Sequence, residues 1–237
     1  CIMKDDATRR SAMTTATPHE VPLEALAEIK PGYPFRGALK HDPKGSARVV
    51  QVRHLDPEHG FGSSCREDAF DRVTLEGKRK PDYLQPGDLL FISRGSRFFA
   101  AVVPDEIPAE TVCTPHFFLI RLTEKASSKV SPEFLAWQIN HHDAQAYLAR
   151  WGQGSAQHSV TKQQLKALPV TLPDLARQAL VVAYHRAARE EVTQLQALID
   201  NRAQQMQALG SAVLAQARAP QPASNTIPHA SAVAGHH

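Results

Sequence analysis

Two clusters in the sequence carry the residue types of a metal-dependent active site. Asp71, Glu76 and Lys78 resemble the D…E-x-K arrangement of nucleases, in which paired carboxylates hold Mg²⁺ and a lysine orients water. The gap is short and no strand is predicted around it, so this pattern favours a solvated loop. His141-His142-Asp143 resembles a metal cluster. Because adjacent residues of a helix point about 100° apart, it favours surface histidines instead.

The motifs of enzymes that act on nucleic acids are absent from the sequence. There is no G-x-x-x-x-G-K-[ST] loop for phosphates and no Asn/Asp-Pro-Pro-aromatic tetrapeptide of base-flipping amino-methyltransferases. Gly60-Phe61-Gly62 lacks a third glycine, and neither Ser nor Cys lies in a nucleophile elbow. We therefore interpret the chain as a non-catalytic binding or adaptor protein.

Two loops carry the cations that a DNA backbone requires. Lys78, Arg79 and Lys80 are consecutive, and Arg94 and Arg97 flank a Gly-Ser pair after a predicted strand. Cations beside Gly and Ser combine long-range attraction with hydroxyl and amide donors that approach phosphates closely. The alternative is an ordinary solvated face.

A third loop, 152–158, is polar and rich in side chains that can read bases. Gln153 and Gln157 can each form two hydrogen bonds with adenine, while Ser155 and His158 can reach other base edges or phosphates. The alternative is a tight helix-to-strand connection in which the glycines only permit the turn.

The elements that must position these loops follow from apolar patterning. Short apolar runs between Gly, Pro and Asp predict strands, and Gln85-Pro86-Gly87-Asp88 predicts the turn before one of them. Ser131 and Pro132 are a favourable start for a helix over 131–150, which places Leu135, Ile139, Ala146 and Tyr147 near one face. A short helical turn and a strand follow over 164–172. The predicted strands cover 48–52, 88–92, 98–103 and 117–122.

The segment 174–218 predicts one long helix, because it has no Pro and is rich in Ala. At about 1.5 Å per residue such a helix exceeds the span of a compact domain of this size, so we expect it to extend beyond the domain or to bend. Apolar residues recur along it in steps of three and four, which is typical of a coiled coil. The alternative is a helix packed on its own domain. The predicted seam consists of Val192, Leu195, Ile199, Arg202, Met206, Leu209 and Val213, in which Arg202 sets the register or is a local weak point.

The composition restricts the class of protein without identifying it. The chain has 237 residues, a formal net charge of +3 and 42% hydrophobic residues, and no apolar run long enough to span a membrane. Cys1, Cys65 and Cys113 lie far apart, which argues against a disulfide framework or a thiolate zinc site and suits the cytoplasm. The first residue is Cys1, which indicates a fragment or a translation start at Met3 or Met13. We predict a flexible leader over 1–20 and a disordered tail over 219–237.

Several segments, taken in order, resemble the DNA specificity (S) subunit of type I restriction-modification systems. The most specific one is 165–178, with a Pro-x-x-x-Pro approach to a helix that carries Gln178. Asp174 and Arg177 stand where the family more often has Pro and Glu. The resemblance covers roughly residues 20–215, and its segments are YLQPGDLLFI (83–92), RGS (94–96), FLAWQI (134–139), GSAQHSV (154–160) and LKALPVTLPDLARQ (165–178).

The resemblance implies an α/β (α+β) target recognition domain with a mixed, twisted sheet, followed by a long coiled-coil helix. The corresponding boundaries are 21–173 for the recognition domain and 174–218 for the helix. A complete S subunit looks like two such units in tandem, whereas this chain has one and shows no internal repeat. It therefore resembles a half-size S subunit.

The resemblance also implies the partners. The domain would insert loops into the major groove of double-stranded DNA, while methyltransferase (M) subunits would bring S-adenosylmethionine and a restriction or motor (R) subunit would use ATP and Mg²⁺. No cofactor or metal is expected in this chain. The helix would form a homodimer or pair with a second S half, and two-fold symmetry would make the target palindromic and interrupted. The alternative function is a coiled-coil oligomerisation adaptor that does not bind DNA; an endonuclease at Asp71, Glu76 and Lys78 is the weakest interpretation.

Overall fold

The computed structural model describes residues 20–61, 69–76, 80–95, 97–150 and 159–218. The chain divides into two compact units, Cys1–Arg186 and Ala187–His237. The tail predicted over 219–237 lies outside the described residues, as does the leader up to residue 19, while Glu20 already belongs to the first strand. Within the described ranges, no helix combines the length and the apolar character needed to cross a bilayer.

A four-stranded antiparallel sheet forms the centre of the first unit. Its strand order is β2-β8-β5-β6, and all four residues of β5 are buried. Leu89 and Phe91 belong to a core shared with helices, whereas Leu90 and Ile92 belong to a second core shared with another sheet. Burial on both faces explains why this strand is a continuous apolar run. The strands are β2 (Ala27–Pro31), β5 (Leu89–Ile92), β6 (Ala100–Val102) and β8 (Phe117–Leu122).

The remaining strands form a three-stranded and a two-stranded sheet. The three-stranded sheet has the order β4-β3-β7, in which β3 pairs in parallel with β7 and antiparallel with β4. The mixed α/β architecture expected from the sequence is therefore present. These strands are β3 (Ala47–Val50), β4 (Asp71–Val73) and β7 (Thr111–Cys113), and the antiparallel pair consists of β1 (Glu20–Pro22) and β9 (Pro169–Thr171).

Five α-helices lie in the described ranges, and one prediction about them is wrong. The segment 131–150 is two helices, because His141 has an extended backbone between them (φ −71°, ψ 154°). The side chain of Asn140 accepts from the amide of Ala100 (2.7 Å) and donates to its carbonyl (2.8 Å), which fixes the end of the first helix against β6. Beyond the break the buried residues are Ala144 and Leu148, and Ala146 is exposed. The helices are α1 (Glu124–Ser127), α2 (Pro132–Asn140), α3 (His142–Ala149), α4 (Lys162–Lys166) and α5 (Leu175–Arg218).

The turn before β5 is stabilised by a buried carboxylate. Gly87 has a left-handed backbone (φ +81°), which a non-glycine residue adopts only at a cost. Asp88, 3% exposed, accepts from Arg121 Nε (2.7 Å) and Nη2 (2.6 Å), and its Oδ2 also accepts from the amide of Gln85 (2.8 Å). The hydrogen bond to Asp88 raises the pKa of Arg121 above its usual value. The Gly-Asp pair of the sequence motif is thus explained by the fold.

At the start of α5, the buried side chain of Gln178 also stabilises the fold through several hydrogen bonds. Its side chain is buried, and its Oε1 accepts from the amide of Ser131 (3.0 Å). Its Nε2 donates to the carbonyls of Lys129 (2.7 Å) and Pro173 (2.8 Å). The bonds to Ser131 and Lys129 attach the first turn of α5 to the segment that begins α2, and the bond to Pro173 fixes the approach to α5.

Candidate nucleic-acid interface

Arg94 and Arg97 lie at one end of the four-stranded sheet. Arg94 follows β5 and Arg97 precedes the antiparallel neighbour β6, so both belong to one connection between paired strands. Gly95 between them has a positive φ of 135°, which turns the chain at this point. Both arginines are exposed. The connection can present two cations to a phosphate backbone.

The chain returns to this same end of the sheet after the polar loop. Arg94 forms an antiparallel bridge with Ser159, and the amide of Val160 donates to the carbonyl of Ser93 (2.9 Å). Ser93 is itself held by His116, whose carbonyl accepts from both the amide and the hydroxyl of Ser93 (2.9 Å each). Ser159, the first described residue after the segment 151–158, is therefore held beside Arg94.

Six of the nine residues predicted to contact DNA cannot be assigned a position. Lys80 is exposed, and nearby in the chain Asp82 pairs with Lys30 (2.9 Å), which raises the pKa of that lysine. The six that lie outside the described residues are Lys78, Arg79, Gln153, Ser155, Gln157 and His158.

The structure corrects the interpretation of Asp71. This residue begins strand β4 and is not part of a loop. Its Oδ2 accepts from Gln51 Nε2 (2.8 Å) and from Arg53 Nη2, while Oδ1 lies 3.7 Å from Nδ1 of His41. Asp71 is thus paired with a cation, Arg53, which has 58% of its side chain exposed and which no sequence motif marks. Within the described ranges, no three His, Cys, Asp or Glu residues come together to hold a metal ion.

The predicted seam of α5 is exposed in the second unit. Its apolar members have between 52% and 61% of their surface accessible, and every residue from 190 to 218 is exposed. Arg202 also lies on this face, where its Nη1 donates to Gln205 Oε1 (3.2 Å). A row of exposed apolar side chains on a helix is a surface suited to a partner.

The fold is that of the S subunits of type I restriction-modification systems. The chain is similar to the HsdS subunit from Thermoanaerobacter tengcongensis, with a TM-score of 0.54 and 19% identity over 89% of this chain and 51% of that one. It is also similar to a chain in a structure that concerns complex assembly and conformational transition of the type I R-M system, with a TM-score of 0.60, 19% identity and the same two coverages. The chain spans about half the length of these structures. No protein-family model and no curated protein matches the sequence.

Proposed function

We propose that the chain is a sequence-specific DNA-binding specificity subunit of a type I restriction-modification complex. It reads one half of a bipartite site and positions methyltransferase subunits, and it is not catalytic itself. The likeness in fold to S subunits supports this proposal. S-adenosylmethionine, ATP and Mg²⁺ belong to partner subunits in this scheme, and the complex acts in the cytoplasm.

The observation that carries the proposal is the position of two exposed cations at one end of the sheet. The connection with Arg94 and Arg97 supplies them, and the bridge between Arg94 and Ser159 brings the chain back to the same end. Phosphate contacts position a protein on DNA, and contacts to base edges provide specificity. Two exposed arginines at the end of a sheet are suited to the phosphate contacts of a DNA reader.

The exposed face of α5 supports the second part of the proposal, in which the helix joins subunits. It pairs with another S half or with a second copy of the chain, alongside contacts to M subunits and to an R subunit. The same face also favours the alternative function, an oligomerisation adaptor that does not bind DNA. The two functions differ in whether the assembled complex recognises a DNA sequence.

The proposal is tested by measuring DNA binding of the complex between this chain and its methyltransferase subunits, at several salt concentrations. Replacing both Arg94 and Arg97 by Gln should weaken binding to all sequences and reduce the slope of log K against log [salt] by about 0.9 for each phosphate that is no longer neutralised. The matched control is Lys125→Gln with Lys129→Gln. Both lysines are exposed. They follow the last residue of β8, Leu122, which lies about 17 Å along the strand from Phe117, the residue that pairs with Ile92.

The control variant should bind DNA as the unchanged protein does. Absence of specific binding in the complete complex would contradict the proposal and favour the adaptor. Equal weakening in both variants would show that the two arginines act only through the total charge.

A further inference from the structure

A long segment without regular secondary structure joins β2 to β3. Residues 32–46, here called the crossing segment, are all described by the structure and contain neither helix nor strand. Irregular connections of about this length are uncommon inside compact domains, and those that occur usually carry function. The crossing segment is therefore a place to look for a binding surface.

The crossing segment begins at the end of the four-stranded sheet that carries Arg94. Pro31, the last residue of β2, pairs with Phe118 of β8, while Ile92 of β5 pairs with the adjacent Phe117. Strands β2 and β5 flank β8 and are both antiparallel to it, so they run in the same direction and end about 10 Å apart. The chain therefore leaves both strands at one end of the sheet.

Hydrogen bonds and apolar contacts fix the crossing segment to the three-stranded sheet. The amide of Tyr33 donates to the carbonyl of Cys113 in β7 (2.8 Å), and the amide of Asp42 donates to that of Arg72 in β4 (2.8 Å). Because β7 and β4 are the two edges of this sheet, the segment passes from one edge to the other. Two apolar side chains between these points are partly buried against the core of the sheet, namely Phe35 and Leu39.

Three cations of the same segment are exposed. Arg36, Lys40 and Lys44 recur at every fourth residue. Asp42 is the only acid among residues 32–46, and its carboxylate accepts from the hydroxyl of Thr74 (2.6 Å) and from the amide of Lys44 (3.0 Å). The segment thus presents cations to solvent on a backbone that the fold holds in place.

Two of these cations share a cleft with one acid. Arg36 and Lys40 line the cleft together with Thr74 and with Glu76, which follows β4 and is exposed. A phosphate that approaches the cleft is attracted by the two cations and repelled by the one carboxylate. The balance of charge favours an anion.

We propose that the crossing segment is a second phosphate-contact surface, where Arg36 and Lys40 bind the backbone of the DNA target. This role rests on the proposed function and extends it, because DNA that meets the end of the four-stranded sheet meets loops from two of its strands. Arg94 and Arg97 then bind a different group of phosphates. Contacts of this kind position the domain on the duplex and carry no sequence information themselves.

The proposal is tested by DNA binding of the complex between this chain and its methyltransferase subunits at several salt concentrations. Arg36→Gln with Lys40→Gln should weaken binding to the target and to unrelated DNA by about tenfold or more. The slope of log K against log [salt] should fall by about 1.8, or 0.9 for each phosphate that is no longer neutralised. Lys125→Gln with Lys129→Gln makes the same change in total charge beyond the other end of β8 and should bind as the unchanged protein does.

Glu76 provides a variant of opposite sign. Glu76→Gln should strengthen DNA binding by about two- to fivefold, because it removes the carboxylate that repels phosphate at the cleft. The matched control is Glu124→Gln, at an exposed acid that follows β8, which should leave the affinity within about 1.5-fold. Equal strengthening in both variants would show an effect of total charge alone and would overturn the proposal.

Ethylation of single phosphates in the target shows which of them each pair of cations contacts. The Arg36 and Lys40 variant should become insensitive to ethylation at one group of phosphates, and Arg94→Gln with Arg97→Gln at another. Loss of the same group in both would refute a second surface. Unchanged affinity and slope in the Arg36 and Lys40 variant, beside weakened binding in the Arg94 and Arg97 variant, would overturn this proposal and leave the proposed function standing. A complex that binds no specific DNA would overturn both.

Discussion

At the scale of single residues, His54 is a buried imidazole that the fold holds neutral. Its Nδ1 accepts a hydrogen bond from the amide of Gln51 (3.1 Å), which a doubly protonated ring cannot do. Burial lowers the pKa of His54 below the usual value of 6.5, and the charge of Arg53 lowers it further. The negative charge of Asp71 raises the pKa and partly offsets these two effects. The ring also packs edge-on against Phe70, with centroids 5.1 Å apart.

This pKa predicts how stability changes with pH. Because the pKa of His54 is lower in the folded state, the unfolded state binds more protons below about pH 6.5. The contribution of His54 to the free energy of unfolding is present above that pH and is lost as the pH falls through 6.5 towards the folded pKa. We expect His54→Asn to show a shallower loss of stability between about pH 7 and 5 than the unchanged protein, as measured by urea unfolding. His142→Asn, at an exposed histidine, is the control and should keep the full loss; an equal loss in His54→Asn would contradict the assignment.

The connection that carries Arg94 and Arg97 was partly predictable from the sequence, whereas its bridge to Ser159 was not. The cations at Arg94 and Arg97 could be selected from the sequence, because they flank a Gly-Ser pair after an apolar run. The bridge from Arg94 to Ser159 could not be derived from local pattern, since it joins residues far apart in the chain. The pairing of Arg53 with Asp71 carried no signal in the sequence, because it depends on β4 bringing Asp71 beside Arg53.

At the scale of elements, strands and helices were predictable where local pattern and tertiary packing agree. The strands β5 and β8 and the helix α5 are long or strongly patterned, and their positions match the expectation closely. The break at His141 was missed because its cause is Ala100, forty residues earlier in the chain. Strands such as β4 and β7 have three residues each and carry too little pattern to detect.

Gln178 provides a test at this scale. Its replacement by Ala removes one acceptor and two donated hydrogen bonds and leaves buried main-chain groups unpaired, so the first unit should lose about 2–4 kcal/mol of stability. Gln194→Ala, an exposed glutamine of the same helix, should change stability by less than about 0.5 kcal/mol. Both are measured by denaturant unfolding. A loss below about 1 kcal/mol for Gln178→Ala would show that water replaces the side chain.

At the scale of the whole molecule, the proposed function has a consequence for the DNA target. If two copies of one chain assemble with two-fold symmetry, both halves of the target must be read by the same loops. We predict that the complex methylates an interrupted inverted repeat, and sequencing of methylated adenines in cells that express it checks this. Two unrelated half-sites would instead show that a second, different S half is the partner.

Three polar side chains of the first unit share one further property. Gln178 bonds to main-chain atoms of three residues, Asn140 to those of Ala100, and Ser93 to that of His116. Main-chain groups are the same in every amino acid, so these attachments persist when the side chains around them are exchanged by mutation.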